Sequence, residues 1–254
     1  MHLLIALLLA LLFSPASSPP KSPTRKAATT PAASSAGLLR KFNLVPLWLV
    51  SARPAEAQTM LGCMGPQYRP FDLVFEKVRR DAKNPALYHV QGKSRERERL
   101  LPFRGTIMLS AIQKARAPYP LASFKAAAHY QAAGTFRLVE DPAEEGAGVF
   151  SGKVVITFSQ TPTGLAYQPS TPYWWNENST GEGSTFTSRW TSKTHPAAIQ
   201  LVWATNFMNI AHHVMEQFNL WERGPEINPK YARVGWSSYW QNDEWWADAP
   251  EPAL

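Results

Sequence analysis

From Leu87 onward the chain breaks into short stretches of strand-forming residues, each closed by Gly, Pro, Asn or Asp. That punctuation constrains the fold more than any other feature. Leu87–Val90, Arg104–Ile112, Gly134–Val139, Val149–Ser159, Gly164–Gln168, Thr185–Thr191, Ile199–Ala204 and Arg233–Trp240 carry β-branched or aromatic residues with partial alternation. Roughly eight short strands with turn signals between them predict a mainly β fold, an antiparallel sandwich or barrel. Gly152 is expected to mark a bulge in the longest strand. Cys63 is the only cysteine, so no intrachain disulfide can form and the core must hold the fold.

Two segments depart from the strand pattern. Asp72–Ala82 is expected as a short helix that stops at Lys83-Asn84-Pro85. Near 206–223 an amphipathic helix is expected. At 100° per residue, Phe207, Ile210, Val214, Phe218 and Trp221 share one face, and Gly224-Pro225 supply the stop. His212, His213 and Glu216 lie on its polar face. His212 and Glu216, four residues apart, could chelate one metal ion; His213 points away from them. The H-x-x-E-H pattern of some metalloproteases fails here, because position 217 is Gln. A solvated helix face is the preferred reading, with no metal and no cofactor. A metal-assisted hydrolase using His212 and Glu216 is the alternative.

The N-terminus reads as a leader. Leu3–Phe13 is an apolar run of signal-peptide length, followed by small residues that would allow cleavage near Ala16. A second leader-like pattern follows: basic Arg40-Lys41, apolar Leu44–Val50, then Ala55-Glu56-Ala57. The mature chain is therefore expected to start after about Ala16 or after Ala57. Residues 1–57 are expected as leader and Pro/Ser/Ala-rich disordered segment. Residues 58–84 are an N-terminal extension with the short helix, 85–240 the β domain, and 241–254 an acidic Trp-containing tail. Cys63 would then lie in a flexible start. Export to the periplasm, the medium or the cell surface is the expected location, with no transmembrane helix in the mature chain.

Charge is unevenly distributed. Up to Lys125 there are 19 Lys and Arg against 6 Asp and Glu; beyond it there are 7 against 13. Part of the basic excess sits in the expected leader. Lys93-Ser94-Arg95-Glu96-Arg97-Glu98-Arg99 alternates in sign, and as a strand it would place arginines on one face and glutamates on the other. A charged hairpin tip or edge strand is expected there. No aromatic residue interleaves to stack bases, so no nucleic-acid partner is expected.

Nine of the 10 tryptophans fall between Trp174 and Trp246. Trp190, Trp203 and Trp236 are expected in packing roles. Tyr173, Trp174 and Trp175, between prolines and a polar loop, are the candidate ligand contacts, since indole faces take flat apolar ligands and anchor interfaces.

Gly92-x-x-Arg95…Phe103-x-Gly105-Thr106-Ile107, Gly134-x-x-x-Leu138-x-Glu140-Asp141…Gly148-Val149-Phe150-x-Gly152 and Asn228-Pro229-Lys230-Tyr231…Gly235-Trp236 together resemble a family of bacterial exported proteins of unknown function. The resemblance covers about residues 87–240. It implies export and a β-rich fold, and no reaction. The expectation for function is a non-catalytic binding or surface module, with ligand, partner and oligomeric state open.

Overall fold

A computed structural model of the protein describes residues 32–52, 59–115, 128–167, 183–207, 210, 229–238 and 245–246. Nine strands form its frame: β1 (Met60–Met64), β2 (Arg69–Arg80), β3 (Leu87–Glu96), β4 (Arg99–Ala115), β5 (Ala128–Glu140), β6 (Gly148–Thr161), β7 (Gly164–Tyr167), β8 (Gly183–Ser192) and β9 (Ile199–Ala204). Every pairing is antiparallel. The ladder runs β5-β4-β3-β2-β1-β9-β8-β6, and β6 also pairs with β5, so eight strands close into a ring. The short β7 pairs with the far end of β6, beyond the point where β8 stops. Of the two β architectures expected, the barrel is the one found. Closure gives every ring strand a neighbour on both sides.

Alternation decides which side chains enter the lumen. Phe71, Leu73 and Phe75 point in from β2, Phe136 and Leu138 from β5, Phe150, Val154, Ile156 and Phe158 from β6, Phe186 and Trp190 from β8, and Leu201 and Trp203 from β9; all are buried in one cluster. At its centre Phe186 stacks on Trp203 at 5.2 Å, with Phe136 edge-on to both. Inward glycines let neighbouring strands close up tightly. A Cβ on Gly105 would sit 2.1 Å from the Arg137 carbonyl oxygen, and one on Gly152 would sit 2.0 Å from that of Thr187. Gly152 is therefore no bulge. The ladder irregularities lie at Phe75/Lys77 and Leu109/Ala111 instead.

The barrel begins earlier than expected. Residues 60–80 are β1 and β2 rather than an extension with a short helix. Phe71, Leu73 and Phe75 alternate into the lumen while Asp72 and Val74 point out, a period of two that outweighs the helical reading of Asp72–Ala82.

The segment read as a second leader is also structured. α1 (Ala32–Lys41) and α2 (Val45–Trp48) are followed by a 3₁₀ turn at Val50–Ala52. Phe42, Leu44, Leu47 and Trp48 join the lumen cluster and close one end of the barrel. Phe42 packs 4.5 Å from Tyr130 and 5.3 Å from Phe158, and Trp48 lies edge-on to Tyr88 at 5.1 Å. Trp48 Nε1 donates to Ser184 Oγ at 3.0 Å, and the Leu44 N–H donates to Tyr88 Oη at 3.2 Å. The Tyr167 hydroxyl donates to the Leu47 carbonyl.

Two C-terminal pieces cover part of the outer wall. Phe207, Tyr231 and Trp236 pack with Cys63 over β1 and β9. A strand is expected over Arg233–Trp240; its described part, Arg233–Ser238, is instead turns that follow a one-turn helix at Pro229–Ala232 and end in a 3₁₀ turn at Trp236–Ser238. Trp236 instead buries its ring against Phe207 and donates from Nε1 to the Tyr68 carbonyl at 2.6 Å. Trp245 and Trp246, from the acidic tail, pack on Val50 and Val74. The helix expected near 206–223 falls outside the described residues except for Asn206, Phe207 and Ile210. Among the described residues no helix is long and apolar enough to cross a membrane.

Candidate functional site

The residues singled out from the sequence as contacts or ligands, Tyr173, Trp174, Trp175, His212, His213 and Glu216, all lie outside the described residues. Among the described residues no group of three or more His, Cys, Asp or Glu side chains is placed to hold a metal ion. Cys63 is not in a flexible start. It sits buried in β1, and burial pushes its thiol up to about 11, which makes it a poor nucleophile.

The alternating run at Lys93–Arg99 forms the β3–β4 hairpin, with Arg97 and Glu98 exposed at its tip. Three of its four cations are used internally. Lys93 is buried and donates to the Trp246 carbonyl at 2.6 Å and to Glu76 Oε1 at 3.1 Å. Arg95 pairs with Asp72 at 2.6 Å and covers Trp245 at 4.9 Å. Arg99 bonds Glu96 at 3.1 Å and the Gly146 carbonyl at 3.0 Å, and Arg69 Nε reaches Glu96 at 2.8 Å.

The same hairpin closes the second end of the barrel over a buried carboxyl. Glu140 is only 3% exposed. It accepts from Ser94 Oγ at 2.7 Å, the Gly148 N–H at 2.8 Å and Trp190 Nε1 at 3.1 Å. Burial pushes its pKa up, against the pull of those three donors and of Arg99. Every nearby donor is satisfied by this acid, and the space around it is close to that of a single water. The arrangement is a structural clasp between β3, β5, β6 and β8.

The lumen is thus filled at its centre and closed at both ends by the chain's own side chains. The exposed chemistry is on the wall. Outward positions align across the ladder into one unbroken row: Arg79, His89, Thr106, Arg137, Ser151, Arg189 and Gln200, each opposite the next. Lys77, Gln91 and Arg104 form the adjacent row on one side, and Thr135, Lys153 and Thr187 belong to the row on the other. Lys77, Arg79, Arg104, Arg137, Lys153 and Arg189 are all exposed. None of these six side chains makes an ion pair or hydrogen bond with a described residue. These rows contain no Asp or Glu. Over β2 to β5 the wall carries a concavity of about 730 Å³ lined by Lys77, Arg79, His89, Gln91, Arg104, Thr106 and Arg137.

Local sequence explains the placement. In RGTIM, TFRLV, FSGKVV and TSRWT one cation per strand sits between inward apolar residues. On β2 the irregularity after Phe75 resets the alternation, so that Val78 turns in and Lys77 and Arg79 turn out. Beside the row, Asp81 holds His89 at 3.0 Å; that bond and the N–H groups of Asn84 and Lys83 lower the Asp81 carboxyl to about 2. The run Lys93–Arg99 is the hairpin expected from the sequence, whereas the dispersed cations of the wall become a cluster only through the register.

No protein-family model, no curated protein and no solved structure matches the chain.

Proposed function

We propose that this protein is an exported, non-catalytic binding module that holds an anionic partner on the outer wall of its barrel. One observation carries the reading. Six exposed Lys and Arg side chains occupy neighbouring rows with no acid among them and no partner among the described residues, while Lys93, Arg95 and Arg99 of the hairpin are all paired. Unpaired like charges repel one another and destabilise the compact state, a cost that an anionic partner relieves. The filled lumen directs the reading to the wall. Export is supported by the apolar run Leu3–Phe13 with small residues after it, and by the resemblance to an exported family.

The test is retention of purified protein on a sulfonate-bearing and a quaternary-amine matrix across a NaCl gradient. Expected is elution from the sulfonate matrix well above the salt needed by an Arg104→Gln/Arg137→Gln variant. Equal elution of the two proteins would remove the wall from the proposal.

A further inference from the structure

We infer that the partner is a flexible linear polyanion, an acidic polysaccharide, lying across the strands along the row from Arg79 to Gln200. This rests on the binding-module reading and narrows it. The row crosses seven of the eight ring strands without interruption, from β2 through β3, β4, β5, β6 and β8 to β9. With strands about 4.8 Å apart, Arg79 and Arg137 are separated by roughly 14 Å of wall and Arg137 and Arg189 by roughly 10 Å. Lys77 and Arg104 stand about 7 Å to one side of the row and Lys153 about 7 Å to the other.

The cations therefore form a narrow belt that bends round most of the barrel. A flat anionic bilayer touches only one side of a cylinder and leaves part of this belt in water. A compact acidic protein meets the same limit. A flexible chain follows the curve and reaches each arginine in turn. Between the arginines the row presents Thr106 and Ser151, and at its end Gln200, side chains that exchange hydrogen bonds with sugar hydroxyls and carboxylates. Arg79, Arg137 and Arg189 offer forked donors suited to carboxylate or sulfate groups. Apart from His89, no ring lies on the row or on the rows beside it, so the stacking platform used by single-stranded nucleic acid is missing.

The experiment titrates the full chain at low and moderate NaCl with four fluorescent or scattering probes: heparin, polygalacturonate, an oligo-thymidylate strand, and vesicles containing anionic phosphatidylglycerol. The row variant is Arg79→Gln/Arg137→Gln/Arg189→Gln; the control is Lys83→Gln/Lys193→Gln, two exposed lysines off the belt. Circular dichroism melts establish that both variants fold. Expected is binding to both polysaccharides, weakened about tenfold or more in the row variant and about twofold or less in the control. The salt slope should fall by about three, one per arginine removed. Binding to vesicles or oligo-thymidylate but to neither polysaccharide overturns the polysaccharide inference while leaving the anion-binding module standing. Polysaccharide binding that is equal in wild type and row variant overturns the belt. Failure to bind any of the four overturns both.

Discussion

Glu140 is the residue whose surroundings most clearly set a measurable property. Its carboxyl is buried among Ser94, Gly148 and Trp190, and burial raises its pKa above the ordinary Glu value of 4.5. Between the ordinary value and the raised one, the folded protein keeps a proton that the unfolded chain has released. Stability from this group is therefore complete below about pH 4.5 and falls as pH rises through the folded value. In the protonated form the acid can donate to Ser94 Oγ, whose own proton then turns to the Leu101 carbonyl 3.3 Å away. A Gln at 140 keeps one oxygen for Gly148 and Trp190 and gives Ser94 a donor without ever ionising. Glu140→Gln should thus match wild type in urea unfolding at pH 4 and exceed it once the pH has risen through the folded value; parallel stability curves between pH 4 and pH 8 would refute this. Glu140→Ala should be destabilised at every pH, because the Trp190 and Gly148 N–H groups lose their acceptor, at about 1–3 kcal/mol for each stranded donor. Nothing in the local sequence marks this acid. Glu140 and Asp141 look like turn charge, and only the fold brings Ser94 and Trp190 to Glu140.

At the scale of elements, the strands from β3 to β9 were legible because alternation and turn residues agree there. β3, β4, β5, β6, β8 and β9 each contain the segment expected from the sequence, although most run longer. β2 was not legible. Its apolar residues Phe71, Leu73, Val74, Phe75 and Val78 mix two faces, because Val74 covers the outer wall and the alternation shifts after Phe75. That shift has a consequence for the belt. Glu76 is the extra residue, so deleting it leaves an unbroken alternation in which Phe75 and Val78 still face the lumen and Lys77 and Arg79 still face out. The deletion should therefore keep a cooperative unfolding transition followed by tryptophan fluorescence, at a lowered midpoint because Lys93 loses the Glu76 carboxylate. Glu76→Ala keeps the alternation and loses one partner of Lys93, whose contact with the Trp246 carbonyl remains. It should stay folded with a lowered midpoint. Loss of the cooperative transition in the deletion but not in the substitution would show that the extra residue is needed to hold the faces of β2.

For the molecule as a whole, the least legible feature was the N-terminal closure of the barrel. Leu44–Val50 has the composition of a short signal core, and composition cannot tell a segment bound for a membrane from one that enters a protein lumen. The structure separates the two by contacts. Phe42, Leu44, Leu47 and Trp48 are each at most 3% exposed, and Ser184, Tyr88 and Tyr167 hydrogen-bond to this segment. Burying four such side chains is worth roughly 6–12 kcal/mol before the ordering of the segment is subtracted. The whole stability of a domain is about 5–15 kcal/mol. A chain starting at Gln58 would expose the aromatic end of the lumen at Tyr88, Tyr130 and Phe158, whereas processing near Ala16 leaves the closure in place. Protein beginning at Ala32 should therefore melt cooperatively, and protein beginning at Gln58 should bind a hydrophobic dye, aggregate, or melt at much lower temperature. Trp48→Ala in the longer protein should cost about 3–5 kcal/mol. A 58–254 protein as stable as the 32–254 protein would mean that the segment merely rests against the barrel, and would make cleavage after Ala57 compatible with the fold.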